Sequence, residues 1–428
     1  MLKLFKQTLG VLGILPTLVL AQDRVIALKA PVVIDGKGKV IRNTVIVVEG
    51  SKISRIGGAV PTGALVYDLG GLTISPGWID THSHVMYHFD KNNRLSGKEE
   101  PPVEAMLRGV DNAVLTLDAG FTTIQSPGMT ADNDLRDAIA RGIIPGPRLL
   151  TSLQPLTENS GPPKKLRELV KERKEQGADF IKIFASKSIR EGGTQTMTDA
   201  QLEAACGEAK TLGLRTMVHA HSAESAKAAT LAGCTSVEHG AYVTDDVFNL
   251  MADRGTYYDP NIGVVLQNYL ENKSKYMGIG NYNDEGFAFM EKGIGITRDT
   301  FKKALTHKNL KIVFGTDATA GAHGRNYEEF IVRVRDGGQQ PMAALMSATS
   351  IAAESMNMQN EIGSIAPGMQ ADIIGIDGNP LQDITSVRRV VFVMKGGKVF
   401  ENLAHTAKRS SNQGNPAEDS ARQNTMKP

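Results

Sequence analysis

Ala178-Asp179-Phe180-Ile181-Lys182-Ile183-Phe184-Ala185 is a short apolar run broken by a single lysine, and it reads as a buried strand. An amphipathic stretch at 199–212 and another apolar run at 215–219 follow it. Strand, helix and strand in that order argue for a parallel sheet with crossover helices. The same alternation extends in both directions. Strands are expected at 78–84, 122–125, 148–152, 180–185, 215–219, 236–239, 257–260 and 311–317. Helices are expected at 102–117, 135–141, 165–176, 199–212, 223–232 and 245–254. Eight such units predict an α/β fold, a (β/α)8 TIM barrel whose site lies at the carboxyl ends of its strands. A doubly wound open sheet is the competing architecture.

Outside 76–357 the pattern changes. Short β runs with Asp-Gly and Glu-Gly turns occupy 22–75, and similar runs recur at 371–376 and 390–394. Neither group has enough strands to cover its own edges, so one small β-sandwich domain built from 22–75 and 358–401 is expected. Residues 1–21 read as a secretory signal: Lys3 and Lys6 precede an apolar run, and Val19-Leu20-Ala21 supplies a cleavage site before Gln22. That run is too short to span a bilayer, although an uncleaved amphipathic anchor is the alternative. A periplasmic or secreted protein is therefore expected. The polar stretch 402–428 is expected to be a disordered tail.

The composition, 41% hydrophobic and 22% charged over 428 residues, is that of a folded globular chain. Removing Lys3 and Lys6 from the 48 basic residues leaves as many as the 46 acidic ones. This balance gives no electrostatic reason to expect nucleic acid or an anionic membrane as a partner. Cys206 and Cys234 are too few for a disulfide framework or a thiolate zinc site, and buried free thiols are expected. No Gly-x-Ser-x-Gly elbow, His-Glu-x-x-His helix or phosphate-binding glycine loop occurs. The Gly278–Gly280 and Gly293–Gly295 pairs lack a third glycine and read as turns.

Histidine carries the chemistry. In Asp80-Thr81-His82-Ser83-His84, strand alternation puts His82 and His84 on one side, about 6.5 Å apart along the backbone. His219, His239 and Asp317 each end a further apolar run. Four histidines and an aspartate at one rim of one barrel point to a divalent metal site, with zinc favoured by imidazole and carboxylate together. Lys182 lies inside a buried strand, where burial disfavours its ammonium form. A neutral amine can add carbon dioxide and become an anionic carbamate; a lysine paired with an acid is the alternative. With the carbamate, one metal takes His82, His84 and Asp317, a second takes His219 and His239, and the carbamate and a water bridge them.

These residues resemble the amidohydrolase superfamily, and within it the imidazolonepropionase-like branch that includes Xaa-Pro dipeptidase and carboxypeptidase-type members and related amidases. The likeness rests on Pro76-Gly77-Trp78-Ile79-Asp80-Thr81-His82-Ser83-His84, the Lys182 strand, His219-Ala220-His221, Val237-Glu238-His239-Gly240, Gly315-Thr316-Asp317-Ala318 and the run Gly363 to Asp372. It implies a binuclear metal hydrolase of C–N bonds with carboxylated Lys182, acting on a small peptide or N-acyl amino acid through a metal-bridging hydroxide. Asp317 would move the proton from that water to the leaving amine. Tyr242 resembles a tyrosine that contacts the substrate carboxylate or oxyanion, with packing as its alternative role. His221 reads either as a group behind the ligands or as a substrate donor, outside the set of ligands. His323 matches a loop motif that contacts substrate or braces the loop, and Tyr87 and His88 are expected near the pocket. A homo-oligomer is also implied. Carboxylate-recognising relatives carry Gly-Gly-His-Gly where this chain has Pro155-Leu156-Thr157-Glu158-Asn159-Ser160-Gly161-Pro162-Pro163. A cyclic-amide or imidazolone hydrolase is the runner-up, but such relatives commonly use one metal without the lysine. An inert metal- or ligand-binding module on the same scaffold is the reading from a different class.

Overall fold

The computed structural model describes residues 25–97 and 100–403. The expected leader and residues 404–428 of the expected tail lie outside the described residues. No helix among those described is long and apolar enough to cross a membrane.

The chain is α/β. Both of its ends enter one mixed eight-stranded sheet. Strand Ile26–Ile34 pairs antiparallel with Val40–Glu49 and parallel with Leu65–Asp68 and Leu72–Pro76. Leu72–Pro76 then pairs antiparallel with Ile373–Asp377, which carries Val390–Lys395 and Lys398–Asn402 beyond it. The turn after Ile34 is held by Asp35 Oδ1, which accepts the backbone N–H groups of Lys37 and Lys39. Gly36 (φ +84°) is required there, because a Cβ would lie 2.4 Å from the Gly363 carbonyl.

The middle of the chain forms two parallel sheets. Trp78–Asp80, Phe121–Ser126 and Arg148–Thr151 make one. Phe180–Phe184, Arg215–Ser222, Ser236–Tyr242 and Tyr257–Asp259 make the other. The six expected helices are present as Pro102–Asp118, Asp132–Ala140, Pro163–Glu175, Asp199–Thr211, Ala223–Leu231 and Asp245–Arg254. Gly293 and Gly295, read as a turn from sequence, lie inside helix Asp284–Ala304, whose apolar face outweighs two glycines.

The expected strand at 311–317 is not a regular strand. It meets its neighbours through isolated bridges, Tyr258 with Ile312 and Ser83 with Ala318. Side-chain carboxylates take two of the amides a ladder would use: Gly315 N–H donates to Asp259 Oδ1 at 2.8 Å and Thr316 N–H to Asp80 Oδ1 at 3.1 Å. Gly315 has no room for a side chain, since its Cβ would sit 2.1 Å from Asp259 Oδ2. A further bridge joins Leu156 to Ile183.

An aromatic cluster of Trp78, Phe121, Phe314 and Phe330 packs with Ile374, Ile376 and Val393, so the parallel strands and the mixed sheet share one apolar core. Cys206 and Cys234 are not free thiols. They form a disulfide across a sequence separation of 28 residues, Cα to Cα 5.2 Å. Helix Asp199–Thr211 and the turn after Ala223–Leu231 belong to consecutive strand–helix units, and their packing brings the two buried sulfurs together.

Candidate active site

His82, His84, Lys182, His219, His221, His239 and Asp317 all line one cavity of about 660 Å³, a size that suits a small organic ligand. Their donors fall into two groups, His82, His84 and Asp317, and His219, His221 and His239, each with its atoms within 4.8 Å of one another. In the first, Asp317 Oδ1 lies 3.0 Å from His84 Nε2 and 3.5 Å from His82 Nε2. In the second, the His219 ring meets His221 and His239 edge-on at centroid distances of 4.6 and 4.7 Å. The His221 and His239 rings stack at 4.9 Å. The groups adjoin where His82 and His239 come within 5.3 Å of each other. Lys182 Nζ, on the strand Phe180–Phe184, is 3.2 Å from His82 Nε2.

Backbone strain marks two of these positions. His239 (φ 68°) and Asp317 (φ 51°) adopt left-handed conformations that residues other than glycine rarely take. Polar groups brace the neighbouring segments. Asp80 accepts the His82 and Thr316 N–H groups and the Thr316 and Asn326 side chains. Asp259 accepts the Thr81 hydroxyl at 2.6 Å and faces Arg333, which also pairs with Glu329. Glu238 Oε2 stands 3.1 Å from His82 Nδ1, and neither of these buried atoms has a hydrogen-bond partner. No sequence motif assigns a role to Glu238, Asp259 or Asp80. Their signal was an acid inside an otherwise buried strand.

Burial sets the protonation of the site. It lowers His219 and His239 well below the ordinary imidazole value, with the His221 ring and Lys182 adding to the effect on both and the His219 ring adding to that on His239. His82 is likewise held well below, by burial and then the Lys182 charge. His221 is pushed down to about 3 by burial and the Arg190 and Lys182 charges. Burial also lowers the Lys182 amine. For Asp317 burial acts upward, but the His82 and His84 rings outweigh it and keep the carboxyl below its usual range. Neutral imidazoles facing a carboxylate are the protonation states that ligate a divalent cation. His84 Nδ1 and His221 Nδ1 are buried with no hydrogen-bond partner. The donor set therefore fits metal.

Three of the sequence-selected substrate contacts lie elsewhere or are engaged by protein. Tyr242 does not line the cavity; it packs beside Ile189 and Gly193. His239 and Gly240 (φ 54°), two consecutive left-handed residues, precede it in the strand. His323 does not line the cavity either. Its Nε2 is 3.2 Å from the Tyr87 carbonyl, and it braces the loop that stacks Tyr87 on His84 at 4.7 Å. His88 does line the cavity, but its ring nitrogens are taken by the Met86 carbonyl at 2.8 Å and Glu100 at 2.5 Å. His221 stands among the ligand donors as well as at the wall. Arg190, Tyr269 and Tyr282 also line the cavity, and no periodicity or motif singled them out.

Comparison with known proteins places this geometry. Ochratoxinase of Aspergillus niger is 28% identical over 262 residues, covering 55% of this chain and 49% of that protein. The match thus spans about half the length of that relative. Imidazolonepropionase of Rhodococcus jostii strain RHA1 is 23% identical over 88% of this chain and 93% of its own length. The crystal structure of a Xaa-Pro dipeptidase with methionine bound in its active site superposes with a TM-score of 0.80 at 30% identity, covering 88% of this chain and 100% of that one. The amidohydrolase family model matches residues 73–400, a span that includes every donor of both groups. The chain belongs to the amidohydrolase family.

Proposed function

We propose that the protein is an exported, binuclear metal-dependent hydrolase that cleaves the amide bond of a small peptide or N-acyl amino acid. The observation that carries this is the pair of adjoining donor groups in one cavity with a buried lysine against His82. His82, His84 and Asp317 would hold one divalent ion, His219 and His239 the second, and zinc suits this donor set. Such ions lower the pKa of water and polarise a carbonyl.

The chain's own residues supply the rest. The unprotonated Lys182 amine adds carbon dioxide, forming one N–C bond and releasing one proton, and so replaces a buried neutral amine by an anionic ligand. Asp317, kept ionised, accepts the proton of the attacking water and delivers it to the nitrogen as the C–N bond breaks. Glu238, 3.1 Å from His82 Nδ1, is placed to orient that ring when it ligates. Lys182 separates this reading from a one-metal hydrolase of cyclic amides. The relative with methionine in its active site supports an amino-acid-sized substrate.

The bridges at Ser83–Ala318, Tyr258–Ile312 and Leu156–Ile183 support a (β/α)8 barrel in which the two parallel sheets and the 311–317 stretch join. The Cys206–Cys234 disulfide supports export, since structural disulfides persist in oxidising compartments. We also propose a homo-oligomer, which light scattering on the purified chain tests.

Chelated protein should lose hydrolysis of a panel of dipeptides, N-acyl amino acids and lactams, and zinc should restore it. Full activity without metal would overturn the reading.

A further inference from the structure

Arg190 reaches the cavity and has no part in the chemistry above. It lies on the short turn Ile189–Glu191 that follows the Lys182 strand. Ser188 Oγ accepts its backbone N–H at 3.3 Å. Its Nε donates to Asn281 Oδ1 at 2.7 Å, and Asn281 in turn donates to Glu191 at 2.8 Å. The guanidinium lies over the Tyr282 ring at 4.2 Å and the Tyr269 ring at 5.5 Å.

No carboxylate among the described residues forms an ion pair with this side chain. The contrast is Arg333, whose buried fork is neutralised by Glu329 and Asp259. A guanidinium stays charged at any physiological pH, and burying one without a counter-ion is costly. Here the charge is fixed in orientation by Asn281 and by two aromatic faces, at the wall of the cavity that holds both donor groups. A planar, preoriented fork is suited to a carboxylate, which it can bind through two parallel hydrogen bonds.

We propose that Arg190 is the subsite for a free carboxylate on the amine half of the substrate. The substrates are then N-acyl amino acids or dipeptides, and not neutral amides. The Tyr269 and Tyr282 rings and the Leu266 side chain offer an apolar wall beside it for an uncharged amino-acid side chain. This inference rests on the hydrolase reading and narrows it.

The test uses the zinc-reconstituted full chain with N-acetyl-L-leucine and glycyl-L-leucine, each compared with its C-terminal carboxamide. The acid should be preferred in kcat/KM by about 30-fold or more. Arg190→Gln should reduce that preference by about the same factor, chiefly through KM. Calorimetric titration with L-leucine and L-leucinamide, the amine products, gives a readout independent of turnover. L-leucine should bind more tightly to the unmodified chain, and Arg190→Gln should remove the difference. A preference that Arg190→Gln leaves unchanged, or no binding and no cleavage of any of these probes, overturns the subsite. Cleavage of acids and carboxamides alike overturns the subsite and leaves the hydrolase reading intact. Arg190-dependent binding of L-leucine without cleavage of any amide supports the subsite and removes the hydrolase reading.

Discussion

Opening the Cys206–Cys234 disulfide releases a closed loop spanning 28 residues in the unfolded chain, while both sulfurs stay buried in the folded one. The loop-closure entropy for that length corresponds to about 3.5 kcal/mol of stability. The bridge ties helix Asp199–Thr211 to the turn ahead of strand Ser236–Tyr242, which carries His239. Its loss therefore loosens the frame beneath the second donor group. Guanidinium unfolding followed by circular dichroism should show the reduced chain less stable than the oxidised one by about 3 to 4 kcal/mol. The double variant Cys206→Ala, Cys234→Ala should be at least as destabilised, and reductant should leave it unaffected. Titration in denaturant without reductant should find no free thiol. Two free thiols per chain, or a difference below about 1 kcal/mol, would refute the reasoning.

Asp132 is a buried carboxyl that burial raises to about 7, opposed only by hydrogen bonds. The folded state then holds a proton that the unfolded chain has released above pH 4, so stability falls as pH rises from about 4 to 7. Asp132→Asn should match the unmodified chain near pH 4 and exceed it at pH 8 by up to about 4 kcal/mol, read as a pH series of denaturation midpoints. Equal midpoints at both pH values would count against it. Glu238→Gln keeps the shape beside His82 but removes the charge 3.1 Å from its Nδ1. Zinc affinity measured by competition with a chelator should drop by about 10- to 100-fold, and an unchanged affinity would show that Glu238 does not orient the ring.

Much of this was legible in the residues because burial and alternation act locally. Apolar runs such as Phe180–Phe184 and Arg215–Ser222 form strands within a residue or two at their starts, and the six helices follow their amphipathic pattern. His82 and His84 face one side because a strand alternates. What was not legible depends on groups distant in sequence. The 311–317 stretch pairs with carboxylates of Asp80 and Asp259 instead of a continuous ladder, and nothing near Gly315 announces that. The disulfide joins two units whose adjacency arises only from packing. Arg190 owes its position to Asn281 and Tyr282, some ninety residues onward, and a polar loop gave no sign of it.

Metal content is the most direct test of the central claim. Elemental analysis of the reconstituted chain should find close to two divalent ions per molecule. Lys182→Ala should lose metal and turnover together, because the lysine lines the cavity that holds both donor groups and lies 3.2 Å from His82. One ion or none in the unmodified chain, or a Lys182→Ala variant that keeps both its metal and its activity, would contradict the two-metal site.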